Sequence, residues 1–337
     1  MTALQQTTYS MVVPMYNERE NIRPFYNRVS KVLEDMGESY EIICVNDGSR
    51  DDTLDILLKL HSEDPRVKVI DLSRNFGKEI ALTAGIDRAT GDAVIPIDAD
   101  LQDPPELIPQ LVTKWKEGYD VVYATRLSRE GESIIKRMSA NLFYRFINRL
   151  TKIEVPKDTG DFRLMSRQVV EALKELREHH RFMKGLFSWV GFRQIGIPYH
   201  REARFAGRTK WNYWKLWNFS LEGITAFSYI PLQLASCFGM LVALFGFLFG
   251  LYLITDTLIL GNPVKGYPSL MVVILFLGGV QLITLGIIGE YVGRTYNESK
   301  RRPLYYIRNA WGKPFNKQCL ARESVTEEVP GKQITTE

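Results

Sequence analysis

Two long apolar stretches without a charged residue constrain this chain more than any other feature. They run from Ile230 to Thr255 and from Tyr267 to Gly289. Each is longer than the roughly 20 residues that a helix needs to cross the hydrocarbon core of a bilayer. A buried helical hairpin of a soluble domain is the alternative interpretation. Two uncharged stretches of this length favour a pair of membrane-spanning helices within residues 228–295.

Charged residues around these stretches predict how the hairpin lies. Arginine and lysine are concentrated on both outer flanks, whereas the loop between the stretches holds one Asp and one Lys. Because segments rich in basic residues stay in the cytoplasm, we expect a multi-pass protein of the cell (inner) membrane, with both termini and its main domain on the cytoplasmic side. The basic residues are Arg204, Arg208, Lys210 and Lys215 before the first stretch and Arg294, Lys300, Arg301 and Arg302 after the second.

The segments next to the spans carry further membrane signals. Residues 211–227 predict an interfacial amphipathic helix, because three tryptophans precede the first span and tryptophan is enriched at membrane interfaces. Glycines within both spans permit close helix packing, either in one chain or between the copies of a homo-oligomer. Residues 296–337 are expected to form a cytosolic basic segment followed by a disordered tail.

Short apolar runs rich in valine and isoleucine alternate with amphipathic stretches upstream of the spans. Such runs are typical of strands buried on both faces, and the intervening stretches repeat their apolar residues at helical spacing. This order predicts an α/β domain over residues 1–210, with a mostly parallel sheet between two layers of helices. The runs are 10–16, 40–47, 67–73, 92–98 and 120–126.

Polar residues follow several of these runs, and ligands of parallel sheets bind beyond the carboxyl ends of the strands. Asn17 and Glu18 follow the first run, Asp47 ends the second, and Arg126 ends the fifth. A carboxylate at Asp47 can accept hydrogen bonds from a base or a ribose. A helix N-cap by Asp51 or a local Asx turn is the competing account of that cluster.

The strongest single motif is Asp98-Ala99-Asp100, which leaves the fourth run. Two carboxylates one residue apart can present hard oxygen ligands to one Mg²⁺ or Mn²⁺ ion and leave positions open for phosphate oxygens. Such an ion neutralises the charge that develops on a departing diphosphate. The motif therefore predicts metal-dependent chemistry on a phosphorylated ligand.

Residues 133–150 form a basic amphipathic pattern with two interpretations. A helix of this kind can lie on an anionic membrane surface. It can equally pack on the sheet with its charges in water. The basic residues of the whole chain cluster beside the spans instead of covering an exposed sheet, so nucleic-acid binding is not supported.

Several motifs in order carry a family resemblance over residues 9–310. VVPMYNE, VNDGSRDDT, DADLQDPPE and YATR together resemble the nucleotide-binding half of family-2 glycosyltransferases of the GT-A fold. With DTGDFRLMSR, GRTKW and the terminal hairpin, the chain more closely resembles the polyprenyl-phosphate glycosyltransferases. That group includes dolichyl-phosphate mannose synthase and the bactoprenol glucosyltransferases, and the two spans are more similar to the latter.

The resemblance implies roles for individual residues. It implies that the metal lies among Asp98, Asp100 and Gln102, and that Arg126 approaches the sugar or the phosphates. For Arg208 and Lys210, the ordinary excess of basic residues beside a span remains an alternative. The donor-binding residues would be Pro14, Tyr16, Asn17, Glu18, Asp47, Asp98, Ala99, Asp100 and Gln102, and the residues binding the acceptor or its phosphate would be Arg137, Ser139, Arg163, Arg208 and Lys210.

Asp161 and Asp158 are the carboxylates that we place near the acceptor, with Asp161 as first choice. Asp161 opens the strand-like segment DFRLM and has Arg163 on the same face at a period of two. A phosphate monoester is already mostly ionised at neutral pH, so the acceptor hardly needs a base. Positioning and the shielding of two anions from each other matter more.

The activity implied by the resemblance is transfer of one glucose from UDP-glucose to a polyprenyl phosphate at the cytoplasmic membrane face, with inversion. GDP-mannose remains an alternative donor. A processive polysaccharide synthase is disfavoured, because the chain lacks a Gln-x-x-Arg-Trp motif and has only two predicted spans. A non-catalytic scaffold that binds sugar nucleotides is the alternative from another class, and such a scaffold has no need of a metal for a leaving group.

Overall fold

The computed structural model describes residues 7–127, 156, 159–179, 181–202, 230–260 and 266–312. The helices are α1 (Ile22–Met36), α2 (Thr53–Glu63), α3 (Lys78–Arg88), α4 (Ile108–Lys116), α5 (Arg167–Glu175), α6 (Met183–Trp189), α7 (Ile230–Leu260) and α8 (Tyr267–Ser299). The strands are β1 (Tyr9–Met15), β2 (Tyr40–Asn46), β3 (Val67–Leu72), β4 (Ala93–Pro96), β5 (Val121–Arg126), β6 (Thr159–Ser166), β7 (Gln194–Tyr199) and β8 (Ile307–Trp311).

All eight strands form one mixed sheet in the order β7-β5-β6-β4-β1-β2-β3-β8. The centre, β4-β1-β2-β3, is parallel, whereas β6 runs antiparallel between β4 and β5. The five predicted strands and the segment DFRLM are confirmed as strands, and the mostly parallel α/β architecture is confirmed. Sequence reasoning did not predict β7 or β8, because these two edge strands are only partly buried and lack the continuous apolar run of the inner strands.

Two layers of helices cover the sheet and explain why its strands are apolar on both faces. On one side α1, α2 and α4 pack through residues such as Phe25, Leu57 and Leu111. On the other side α3, α5 and α6 contribute residues such as Leu82 and Val170. Neighbouring strand residues alternate between these two cores, so a central strand has no face left for polar side chains. Polar groups are therefore restricted to the ends of the strands.

Helices α7 and α8 differ from the rest because their large apolar side chains are exposed. Met240 on α7 is 74% exposed and Leu282 on α8 is 72% exposed. Both helices are long and apolar enough to cross a membrane, with candidate spans at Leu232–Phe249 and Phe276–Ser299. An exposed apolar surface of this extent marks a site of contact with a membrane or another protein. This agrees with the hairpin that the sequence predicts.

The chain returns to the sheet after α8. Strand β8 pairs antiparallel with β3, and the Tyr305 hydroxyl donates to Oδ2 of Asp87, 2.7 Å away, at the end of α3. His179 also meets the end of α8, where its backbone N–H donates to Glu298 over 2.8 Å. The segment after α8 therefore belongs to the sheet of the α/β domain as far as Trp311.

Several predicted segments lie outside the described residues. They are the basic pattern at 133–150, the interfacial helix at 211–227 and the tail beyond residue 312.

Candidate active site

The loops that follow β1 and β2 are joined by side-chain to backbone hydrogen bonds. The N–H of Asn17 donates to Oγ of Ser49 over 3.0 Å, and Oδ1 of Asn17 accepts from the N–H of Arg50 over 2.8 Å. The N–H of Glu18 donates to Oγ1 of Thr53 over 3.0 Å. Asn17 has a φ of 53°, in the left-handed region that asparagine tolerates better than most residues. These two predicted donor-binding residues thus fix the turn after Tyr16.

Asp47 holds the loop that follows β3. Its Oδ1 accepts from the N–H of Phe76 over 2.7 Å and its Oδ2 from the N–H of Gly77 over 2.9 Å. Burial raises the pKa of Asp47 above its ordinary value, and these two amides oppose the rise. Asp51 makes a local Asx turn instead, since its Oδ1 accepts from the N–H of Thr53 over 3.1 Å, and the N-cap position of α2 is Asp52, which makes no side-chain cap hydrogen bond.

Gly48 permits this approach of two loops. Its φ is +63°, and a Cβ added there would lie 2.6 Å from the backbone carbon of Arg74 and 2.6 Å from the nitrogen of Asn75. Only a residue without a Cβ fits both the backbone conformation and the contact. The Gly48 backbone therefore sets the distance between the β2 end and the β3 loop.

A lysine that the sequence analysis did not select lies at the centre of the carboxylates. Nζ of Lys78 is 2.6 Å from Oδ2 of Asp161 and 2.7 Å from Oδ1 of Asp98. Burial opposes the charged form of Lys78, yet the two carboxylates raise its pKa above the ordinary value. The same lysine, with Lys184, outweighs burial at Asp161 and holds the pKa of that carboxyl well below its ordinary value.

Asp161 and Arg163 lie in different surroundings, although both belong to β6. Asp161 lies in β6 beside Lys78, and its Oδ1 is buried without a hydrogen-bond partner among the described residues. Arg163 is 4% exposed, stacks over Phe187 at 3.8 Å and donates to the carbonyl of Gly160 over 2.9 Å. This buried position does not favour the prediction that Arg163 binds the acceptor phosphate.

Glu79 follows Lys78 and was also not selected from the sequence. Its Oε2 is buried without a hydrogen-bond partner among the described residues. Burial, with Asp161 nearby, raises the pKa of Glu79 to about 8.

Asp98 and Asp100 remain the candidate metal ligands. Within the part of the chain that the structure describes, no three His, Cys, Asp or Glu side chains are grouped to hold a metal. Mg²⁺ in nucleotide sites commonly uses one or two carboxylates, with phosphates and waters completing the shell, so this donor pair fits. The third predicted ligand, Gln102, has its Oε1 engaged by Nη2 of Arg201 at 2.6 Å. The geometry therefore favours the two aspartates over Gln102.

Arg126 reaches the same edge from β5. Its Nε donates to the Tyr199 hydroxyl over 3.3 Å, and that hydroxyl donates to Asp103 in turn. A Cβ on Gly160, next to Asp161, would lie 3.1 Å from Nη2 of Arg126. Arg126 therefore lies beside the β6 residues of the candidate site.

The remaining predicted site residues are placed as follows. Pro14 pairs with Val45 inside the sheet, and Ala99 is buried. One sequence signal could have identified Lys78. It is a cation in the first turn of α3, a position that the helix dipole disfavours, so a functional reason for it could have been sought. Asp158, Arg137, Ser139, Arg208 and Lys210 lie outside the described residues.

The fold and the site together define an α/β protein whose candidate site lies at the carboxyl edge of the parallel strands, where ligands of such sheets bind. The family model described as "Glycosyl transferase family 2" matches residues 10–174. An uncharacterized glycosyltransferase of Synechocystis sp. is 58% identical over 90% of this chain and 95% of its own length. The bactoprenol glucosyl transferase of Shigella phage SfV is 52% identical over 89% of this chain and 98% of its own length. The chain belongs to glycosyl transferase family 2 and is a glycosyltransferase.

Among solved structures, the glucosyl-3-phosphoglycerate synthase of Mycobacterium tuberculosis matches 65% of this chain and 78% of its own, with a TM-score of 0.43 and 21% identity. At this score, the likeness says nothing about the ligands of this chain.

Proposed function

We propose that this glycosyltransferase moves one glucose from UDP-glucose to a polyprenyl phosphate at the cytoplasmic membrane face, with inversion of the anomeric carbon. The observation that carries the proposal is the 52% identity, over 89% of the chain, to a protein named bactoprenol glucosyl transferase. The exposed apolar surfaces of α7 and α8 agree with it, because a lipid acceptor is met at a membrane.

The loops after β1, β2 and β3 bind the nucleoside in this proposal. Tyr16 stacks on the base, while Asn17 and Glu18 hold the loop that carries it. Asp47 keeps the loop after β3 closed against the β2 end, and its remaining lone pairs face a ribose. These roles predict that nucleotide binding needs the hydrogen bonds from Asp47 to Phe76 and Gly77.

Asp98 and Asp100 hold Mg²⁺ or Mn²⁺ in the donor complex. A divalent ion there would supply neutralisation of the leaving nucleoside diphosphate. Asp98 leaves β4, and Asp100 is separated from it by the buried Ala99. Both carboxylates therefore lie in the short turn that follows β4.

Transfer is a single displacement in which the chain positions its reactants. An oxygen of the lipid phosphate attacks the anomeric carbon, a new C–O bond forms, and the bond to the diphosphate breaks with its electrons on the leaving group. Asp161 orients Lys78 through their 2.6 Å contact, and Arg126 shields the two anions from each other. No proton has to be removed from an acceptor that is already ionised.

The spans α7 and α8 form a membrane hairpin whose connecting loop faces away from the cytoplasm. Labelling with a membrane-impermeant maleimide in a cysteine-free background tests this. Gly266→Cys should react in intact cells, whereas Thr2→Cys should react only after lysis. Labelling of both in intact cells would contradict the orientation.

Radiolabel transfer from a panel of nucleotide sugars into polyprenyl phosphate, with and without Mg²⁺ or Mn²⁺, tests the activity. UDP-glucose should give metal-dependent, organic-extractable label. Asp100→Asn should lower the rate at least about a hundredfold, because metal stabilisation of the leaving group provides several kcal/mol. The exposed Asp55→Asn should keep full activity.

The outcomes of this assay separate the alternatives. If only GDP-mannose gave labelled lipid, the donor would be GDP-mannose and not UDP-glucose. Nucleotide binding that needs no metal, without transfer from any donor, would support a non-catalytic scaffold. A product with the same anomeric configuration as the donor would refute the single displacement.

A further inference from the structure

Lys78 already occupies the carboxylates that the donor complex needs. Its ammonium lies 2.7 Å from Asp98 and 2.6 Å from Asp161. Asp98 is one of the two proposed metal ligands, so a divalent ion arriving there meets a like charge and a carboxylate that is already paired. Like charges at this range repel by several kcal/mol at the effective dielectric of a protein surface.

The position of Lys78 is built into the fold. It is the first residue of α3 and follows Gly77, whose N–H is held by Oδ2 of Asp47 at 2.9 Å. Gly77 has a φ of +99°, which turns the chain sharply before the lysine. The end of β2 therefore fixes the backbone from which Lys78 reaches the ends of β4 and β6.

The lysine is nevertheless able to change partners. Its side chain is 43% exposed, against 29% for Asp98 and 10% for Asp161. An ammonium on a flexible stem, half in solvent, can turn from a carboxylate to a phosphate oxygen without any change of the backbone. Asp161 is the more buried partner, so Asp98 is the one that Lys78 releases more easily.

We infer that Lys78 makes metal binding depend on the diphosphate, an inference that rests on the proposed function. Without nucleotide, Lys78 pairs with both Asp98 and Asp161 and keeps a bare divalent ion out. A nucleoside diphosphate supplies the negative charge that accepts Lys78, which leaves Asp98 for the ion. Ion and diphosphate therefore bind cooperatively, and each increases the affinity of the other by the same factor.

Mn²⁺ binding to the purified full-length protein, followed by the EPR signal of free Mn²⁺ with and without UDP, tests this. UDP should increase the Mn²⁺ affinity of the wild type about tenfold or more. Lys78→Met should bind Mn²⁺ alone roughly tenfold more tightly than the wild type, with a much smaller increase on adding UDP. Lys78→Gln retains hydrogen bonding without charge and should behave like Lys78→Met, so it replaces that variant if the protein fails to fold.

Two controls separate charge from general disturbance. Lys78→Arg keeps the charge and should retain the effect of UDP. Lys59→Met, at an exposed position on α2, should match the wild type. An undiminished effect of UDP in both neutral Lys78 variants would overturn the inference. A wild type that binds neither UDP nor Mn²⁺ with UDP would instead contradict the proposed function itself.

Discussion

Nη2 of Arg308 donates a hydrogen bond to the carbonyl oxygen of Ser73 over 2.6 Å. Arg308 lies in β8, after the second apolar helix, and Ser73 begins the loop that Asp47 holds. Nη1 of Arg308 also lies 3.4 Å from the buried carboxylate of Asp71, which accepts from Asn46 over 2.8 Å. The segment that follows α8 thus supports the loop after β3 and the end of β2.

Removal of this support should weaken donor binding more than transfer. Arg308→Met deletes both contacts and leaves Asp71 buried without its cation. We expect this to lower the free energy of unfolding by about 1–3 kcal/mol. We expect the KM for the nucleotide sugar to rise several-fold to tenfold, with a smaller change in kcat. The control is Arg23→Met, because Arg23 pairs with the exposed Glu63 and such surface pairs contribute little. An unchanged KM in Arg308→Met would contradict the proposal that Arg308 supports the loop at Ser73.

The two glycines Gly48 and Gly37 form a matched pair for testing loop contact. Both have positive φ, +63° and +73°, but a Cβ on Gly37 meets nothing within 4 Å. Gly37→Ala should lower the free energy of unfolding by about 1–2 kcal/mol, because alanine is strained at a positive φ but its Cβ meets no neighbour. Gly48→Ala should cost more and also lose nucleotide binding, because its Cβ would displace Arg74 and Asn75. Thermal unfolding and UDP binding measure the two effects, and equal losses in both variants would argue against the contact.

Asp161→Asn should slow transfer without changing its pH profile. Lys78 and Lys184 hold the pKa of Asp161 well below its ordinary value in spite of burial, which makes this carboxylate a poor base near neutral pH. We expect kcat to fall about 10- to 100-fold, because Lys78 loses its partner and its orientation. The rate should be measured between pH 6 and 9. Loss, in the variant alone, of a limb in which the rate rises with pH would show that Asp161 removes a proton after all.

Glu79 should make the protein less stable as the pH rises. Burial raises its pKa to about 8 from 4.5, with Asp161 and Asp98 adding to the rise and Lys78 and Lys184 opposing it. The folded state thus keeps a proton that the unfolded state has released, so the contribution of Glu79 to stability falls from about pH 4.5 and continues to fall up to about pH 8.

Glu79→Gln should therefore flatten the dependence of Tm on pH between 5 and 8, with the largest gain over the wild type near pH 8. The exposed Glu175→Gln serves as control and should follow the wild type. Parallel Tm curves for wild type and Glu79→Gln would show that Glu79 is not protonated in the folded protein.

Local pattern was enough to predict most of the fold. Short apolar runs predicted the five strands β1 to β5 because burial on both faces requires apolar residues throughout a strand. The uncharged stretches predicted α7 and α8 because few other structures accommodate apolar segments of this length. The strand order could not be predicted: β6 inserts between β4 and β5, and β8 joins β3 across more than 230 residues of chain.

The sequence by itself determined the domain class, the two long apolar helices and the edge of the sheet at which the polar residues gather. These properties depend on residues close together in the chain. They follow from the periodicity of the apolar residues, the length of the apolar stretches and the polar residues at the ends of the strands. Only the tertiary structure decided that Lys78 joins Asp98 to Asp161 and that Arg308 supports the loop at Ser73. Those contacts join segments 20 to 235 residues apart, and their distances are fixed by the packing of the whole sheet, which no local pattern records.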